Sequence, residues 1–224
     1  MIAAAGHGLR MGFPKALMSI NGKAVLEKIL DNFSRAQIKS VYITLPEYLL
    51  SNLKYLPANL RINKYDYLGY SGSVRSILEE IENNYDGIII TPVDSCFINI
   101  NLINLINIYA NYLPGSQIIL PEYYFMAGHP VYISKNFFLD LKTCYKFGGL
   151  RGLIARNARF VKRISWEDKK ILTNLNYLSD ANFWKAQNKF GALAGSGYAF
   201  DIATKAIHGH FAVSQTHARA KFSA

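Results

Sequence analysis

Cysteine is scarce in this chain. Cys96 and Cys144 are the two thiols among its 224 residues. They form no C-x-x-C pair and are too few for a disulfide framework, which points to a reducing cytoplasm and to no chemical role for either. Long apolar runs are missing too. Nothing approaches the ~18 residues of a membrane span, and residues 1–6 lack the charged start and extended apolar stretch of a secretory leader. A soluble protein with no membrane partner is expected. Acidic residues are few: 15, against 25 Lys and Arg, give a formal net charge of +10. Such a balance suits a polyanionic ligand, either nucleic acid or a phosphate-rich small molecule. No RNA-binding signature accompanies it, and the 15 tyrosines are scattered rather than gathered into a stacking platform. Lys169, Lys170, Arg159, Lys162 and Arg163 read as a solvated basic face. A nucleotide is favoured over nucleic acid.

The chain is 50% hydrophobic, long enough for a substantial core in one domain. Its most informative stretch is residues 3–15, A-A-A-G-H-G-L-R-M-G-F-P-K. A short apolar segment runs into a glycine-rich turn with Arg10 and Lys15 at its far end. Gly6, Gly8 and Gly12 tolerate positive φ and leave no side chain between backbone N–H groups and a ligand oxygen, so the amides converge on an anion and the two cations add charge. Better-known phosphate loops do not fit. Gly12 stands one residue beyond the dinucleotide fingerprint, and the Gly22-Lys23 pair is followed by Ala24 rather than Ser or Thr. The plainer alternative is a flexible surface turn with incidental charges.

Residues 1–5 read as a short apolar strand. Residues 24–36 carry Val25, Leu26, Ile29, Leu30 and Phe33 at helical spacing, and 41–45 are β-rich and stop at Pro46. A third strand follows over 60–65, a helix over 73–81, and a buried strand of consecutive isoleucines over 87–91. Beyond it come a helix over 102–113, strands over 117–120 and 130–134, and a short helix over 149–156. Strands alternating with helices predict an α/β fold: a three-layer α/β/α sandwich, Rossmann-like, around a mostly parallel sheet. Ligands in such sheets sit at the carboxyl ends of strands. The glycine-rich turn after the first strand and Asp94 after the isoleucine strand are therefore expected to open onto one edge.

The pattern A-A-G-x-G-x-R-M-G-x-P-K resembles the signature of the MobA-like nucleotidyltransferases, most closely the branch that includes molybdenum cofactor cytidylyltransferase. Further likenesses follow in the same order. Asn21-Gly22-Lys23-Ala24-Val25-Leu26-Glu27 is similar to the N-G-x-x-x-L-E entry into the first helix. Gly72-Ser73-Val74-Arg75-Ser76 is similar to a G-S-x-R segment, and Pro92-Val93-Asp94 to the segment of the metal-binding aspartate. Gly128-His129-Pro130-Val131, Gly149-Leu150-Arg151-Gly152-Leu153-Ile154, and Asn174-Leu175-Asn176 with Asp180 complete the series.

The resemblance implies the nucleotide-diphospho-sugar transferase type of fold. It implies a nucleotide held by Ala4, Ala5, Gly6, Gly8, Arg10 and Lys15 together with Gly72, Ser73 and Ser76. Catalysis falls to Arg10, Lys15 and Asp94, with Mg²⁺ on Asp94, Asn174 and Asn176. A phosphate oxygen of the acceptor would attack the α-phosphorus of a nucleoside triphosphate in line, with Arg10 and the loop amides on the β- and γ-phosphates and Lys15 on the α-phosphate. Ala5 and Pro14 match the cytidylyl branch, so CTP is the expected donor and the molybdopterin cofactor the expected phosphorylated acceptor. A sugar phosphate or other phosphorylated metabolite is one alternative; a nucleotide-binding or RNA-associated protein without catalysis is another.

Each residue also has a plainer reading. Asp94 suits a turn or helix start, and the family's aspartate is followed by an apolar residue and proline where this chain has Ser95-Cys96. Ser73 and Ser76 suit a helix cap, and Asn174 and Asn176 a loop. His129 and Arg151 are candidates for an acceptor-side rim, or a packed core histidine and an exposed arginine. The first strand is short for a central one, which suggests a start upstream of Met1. Residues 191–224 turn to Ala, Gly and His with no Asn or Glu. The expected division is a nucleotidyltransferase domain over 1–190 and an atypical extension over 191–224. The extension's His208, His210 and His217 lack a supporting acidic or Cys ligand for a metal.

Overall fold

The computed structural model describes residues 1–6, 14–20, 22–53, 55–112 and 118–175. Gly8, Arg10, Gly12, Asn176, Asp180 and the 191–224 extension lie outside the described residues.

The chain starts with β1 (Ile2–Ala3), and a small antiparallel hairpin, β2 (Ser19–Ile20) and β3 (Lys23–Ala24), leads into α1 (Val25–Arg35). Gly22 turns that hairpin with φ 76°. Val25, Leu26, Ile29, Leu30 and Phe33 form the buried stripe of α1, and the Glu27 carboxylate accepts the Ala24 N–H at the helix start (3.1 Å). Then come β4 (Tyr42–Leu45), α2 (Glu47–Leu50), β5 (Asn59–Ile62), α3 (Gly69–Ile81), β6 (Gly87–Pro92) and α4 (Ile100–Tyr112). The last part carries β7 (Ile118–Tyr123), β8 (Met126–Ala127), β9 (Val131–Ser134), α5 (Phe138–Thr143), α6 (Gly149–Arg156) and β10 (Val161–Ser165).

The strands form a mixed, mostly parallel sheet in the order β10-β7-β9-β6-β1-β4-β5, with β8 paired to β7. β1 lies in its interior, parallel to both β4 and β6. β9 runs antiparallel between β6 and β7. Its direction follows from chain length: only a tight turn, β8 and three residues separate β7 from β9, far too little for the crossover a parallel neighbour needs. Helices cover both faces, as the alternation of the strands dictates. Ile2, Ile43 and Leu45 pack with α1 on one side, while Ala3, Ile88, Ile90, Ile133 and Leu120 pack with α3, α5 and α6 on the other. The α/β/α layering predicted from the sequence is present. Among the described residues no helix is long and apolar enough to cross a membrane.

Helix α3 begins four residues earlier than its apolar spacing predicts. Gly69 bends the chain with φ 55°, and Gly72 lets the first turn lie against the Tyr65 carbonyl, where a Cβ would sit 1.9 Å from the oxygen. Ser76 locks the same junction: its hydroxyl accepts the Lys64 N–H (3.0 Å) and donates to Asn63 (3.3 Å). Alanine normally stabilises a helix over glycine by about 1 kcal/mol. Here the clash reverses the sign, and Gly72→Ala is expected to destabilise the fold by about 1–3 kcal/mol, read as a lower urea midpoint at unchanged slope.

Candidate functional site

β1 is held on both sides at its carboxyl end. The Ala4 N–H donates to the Thr44 carbonyl (3.0 Å) and the Val93 N–H to the Ala3 carbonyl (2.9 Å), and Ala3 stands opposite Pro92 in the β1–β6 register. The chain leaving β1 and the turn leaving β6 therefore emerge side by side. Gly6 is exposed there and a Cβ on it would meet nothing within 4 Å. Its φ lies outside the left-handed region, so what this glycine provides here is open space rather than positive φ. That corrects the expectation drawn from the sequence at this position.

Lys15 begins a single 3-10 turn, Lys15–Leu17, anchored by the buried Ala16, Leu17 and Met18. Its ammonium donates to the Asp94 carboxylate at 2.9 Å across 79 positions of sequence. The two side chains are 20% and 23% exposed, sheltered enough for the attraction to exceed that of a surface pair. Asp94 itself sits in the turn after β6, closed by the Ser95 N–H to the Pro92 carbonyl (3.1 Å). The far end of the described chain returns to this turn. Leu175 is fully buried and donates its N–H to the Asp94 carbonyl (3.0 Å), and the Asn174 amide oxygen accepts the Ser95 hydroxyl (2.8 Å).

A cavity of about 240 Å³ opens at this edge, lined by Ala3, Ala5, Gly6, Lys15, Asp66, Gly69, Tyr70, Ser73, Pro92, Val93 and Asp94. Ala5, Gly6, Lys15, Ser73 and Asp94 were singled out in the sequence. Ala4 is buried beside them. Gly72 and Ser76 stand behind the wall, engaged with residues 63–65 as described above. Asp66 and Tyr70 went unnoticed in the sequence, because their place depends on the early start of α3. A larger cleft of about 660 Å³ lies beside α1, but its polar groups already serve one another: Lys23 pairs with Asp31, and the Tyr55 hydroxyl donates to Glu27 (3.1 Å).

Neither of the two proposed rim residues is among those lining the cavity. Arg151 is exposed on α6. His129 is not among the residues lining the cavity; its N–H donates to the Ile171 carbonyl (3.2 Å) and its Nδ1 has no partner. Burial holds its pKa below the ordinary value, opposed by the charge of Asp94 and by the Ile90 carbonyl. The basic residues near β10 have local partners: Arg163 pairs with Glu122 (3.1 Å), and Arg159 and Lys162 lie over the rings of Phe160 and Tyr109.

Residues 1–160 match the family model of the MobA-like NTP transferase domain. The chain belongs to that family. No curated protein matches it in sequence. Among solved structures, the molybdopterin-guanine dinucleotide biosynthesis protein A of Archaeoglobus fulgidus is similar at 17% identity and a TM-score of 0.63, covering 83% of this chain and 96% of its own. The 4-diphosphocytidyl-2C-methyl-D-erythritol synthase of Anaerococcus prevotii is similar at 16% identity and a TM-score of 0.65, over 83% and 95%. A manganese complex of Rv0371C from Mycobacterium tuberculosis is similar at 18% identity and a TM-score of 0.64, over 84% and 96%. At such identities these three share the fold with this chain. As a member of the MobA-like family it is a nucleotidyltransferase, and four described residues of its signature stretch, Ala3, Ala5, Gly6 and Lys15, line the cavity.

Proposed function

We propose that this MobA-like transferase moves a nucleoside monophosphate, CMP from CTP, onto a phosphorylated acceptor such as molybdopterin and releases pyrophosphate. The meeting of Lys15 and Asp94 in the cavity wall at the carboxyl edge of β1 and β6 carries this reading. The donor set fits a hard divalent cation such as Mg²⁺. The Asp94 carboxylate is an anionic oxygen facing the cavity that already accepts one cation, and the Asn174 amide oxygen lies on the segment bound to its turn. Asp94, with Asn174 and Asn176, would hold the ion, which when bound neutralises phosphate charge.

Lys15 has two possible anions in that state. An incoming triphosphate competes with Asp94 for the ammonium, and Lys15 turns to the α-phosphate, where negative charge builds as the phosphorus expands. Arg10 and the loop amides take the β- and γ-phosphates, and the open space above Gly6 leaves them room. A phosphate oxygen of the acceptor then forms a bond to the α-phosphorus as the bond to the pyrophosphate oxygen breaks. The attacking phosphate is already anionic at neutral pH, so no side chain has to remove a proton. Ala5 and Pro14 support CTP as donor. A sugar phosphate is the alternative acceptor, favoured by the likeness to the erythritol-named synthase.

The test is pyrophosphate release with Mg²⁺, each nucleoside triphosphate in turn, and molybdopterin or a sugar phosphate. CTP with molybdopterin is expected to give the fastest release. Faster release with another pair replaces that donor or acceptor, and silence with every pair favours a nucleotide-binding protein without catalysis.

A further inference from the structure

The carboxyl edge of the sheet carries another cavity, away from Lys15 and Asp94. β9 is antiparallel to both β6 and β7, so β7 runs the same way as β6 and ends on the same edge, two strand spacings or about 10 Å from it. There the turn between β7 and β8 and the end of β10 border a space of about 490 Å³, lined by Tyr123, Tyr124, Phe125 and Trp166 together with Glu122 and Glu167. The Trp166 N–H donates to the Glu122 carbonyl (2.9 Å), which fixes the end of β10 against β7. The Tyr123 and Tyr124 rings stand at 84° with centroids 4.6 Å apart, as two perpendicular walls.

The turn is built against its local preference. Tyr123 pairs with Met126, which leaves Tyr124 and Phe125 as a two-residue hairpin loop, and both have positive φ, 44° and 67°. Asn-Gly is the favoured choice there. Core packing does not account for aromatic residues at these positions, since Tyr124 is 77% and Phe125 89% exposed. A ligand in the adjoining cavity does. The lining indicates its charge: no lysine or arginine takes part in it, although the whole chain carries a formal net charge of +10. Glu122 already pairs with Arg163 (3.1 Å), whereas Glu167 is exposed and forms no ion pair among the described residues. Perpendicular aromatic walls beside an uncompensated carboxylate attract a compact cation with an apolar surface, which describes a methylated ammonium group. A flat ring would be held between parallel faces instead.

We propose that this cavity binds a small organic cation through a quaternary or methylated ammonium group, seated against Tyr123, Tyr124, Phe125 and Trp166 with Glu167 as its counter-charge. The volume suits a small molecule, and the site does not depend on which donor and acceptor the transferase uses. The experiment titrates the full chain calorimetrically, without nucleotide, with choline and with dimethylbutanol, the neutral isostere in which carbon replaces the choline nitrogen. Phe125→Leu and Glu167→Gln are titrated beside the parent. Choline is expected to saturate and to bind about tenfold more tightly than the alcohol, as for a cation shared by several rings. Phe125→Leu keeps apolar surface but removes the ring, and is expected to weaken choline about threefold while leaving the alcohol unchanged. Glu167→Gln is expected to weaken choline by a similar factor of about three at low salt and to match the parent at high salt. Both side chains are exposed, so both variants are expected to melt with the parent. Equal affinity for choline and the alcohol overturns the proposal, as does choline binding that never saturates or that neither variant changes. A trimethyl-lysine peptide that binds more tightly than free trimethyl-lysine moves the site to a protein partner and overturns the small-molecule assignment. None of these results bears on Lys15 and Asp94, whose roles are read with nucleotide and metal.

Discussion

Lys15→Ala is expected to lower the rate of pyrophosphate release by on the order of 10²-fold or more, mainly in kcat. The reason lies in when the ammonium acts. A cation on the α-phosphate is worth most as the phosphorus gains a fifth oxygen, so its loss falls on the transition state more than on the bound nucleotide. A second consequence separates this role from a merely structural one. In the unliganded protein Lys15 occupies the Asp94 carboxylate at 2.9 Å, and any divalent ion must compete with it. The alanine variant is therefore expected to bind Mn²⁺ more tightly than the parent without nucleotide, as read by electron paramagnetic resonance, and to bind triphosphate more weakly. Turnover at the parent rate would remove Lys15 from the mechanism.

Asp94→Asn is expected to have an effect of similar size with the opposite metal signature. Asparagine keeps the shape of the turn after β6 and its backbone bonds to Pro92 and Leu175 but removes the anionic oxygen. Turnover should fall roughly 10²-fold, and Mn²⁺ binding without nucleotide should weaken instead of strengthen. Raising Mn²⁺ is expected to recover part of the lost rate, since an amide oxygen still coordinates poorly. Circular dichroism separates this result from misfolding. If Asp94→Asn turned over normally at low Mn²⁺, the aspartate would be a turn residue and nothing more.

The opposite metal responses of these two variants follow from a single contact, which no pattern in the sequence contains. Periodicity located the strand of isoleucines and α1, because a buried face repeats every second or every 3.6 residues. It missed β10, whose residues Val161, Lys162 and Arg163 mix burial and exposure at the sheet edge. It also missed α5 and the reversal that makes β9 antiparallel, since short connections rather than apolar spacing set them. The start of α3 was placed late because Gly69, Tyr70, Ser71 and Gly72 carry little apolar pattern; the close fit against Tyr65 decides it. Ser76 looked like a ligand contact from its motif, yet its hydroxyl bonds to residues 63 and 64.

By itself the sequence determined the layering of the fold and the edge of the sheet at which chemistry must occur. Alternating strand and helix signals leave few topologies, and parallel strands bring their carboxyl ends to one side. Only the tertiary structure decided which side chains share that edge at bonding distance. Lys15 and Asp94 are 79 positions apart, and Asp66 and Tyr70 join them in one wall through the packing of α3 against the sheet. Local pattern encodes which face of an element is buried. Contacts between loops depend on how the elements pack, and that is written in no single segment.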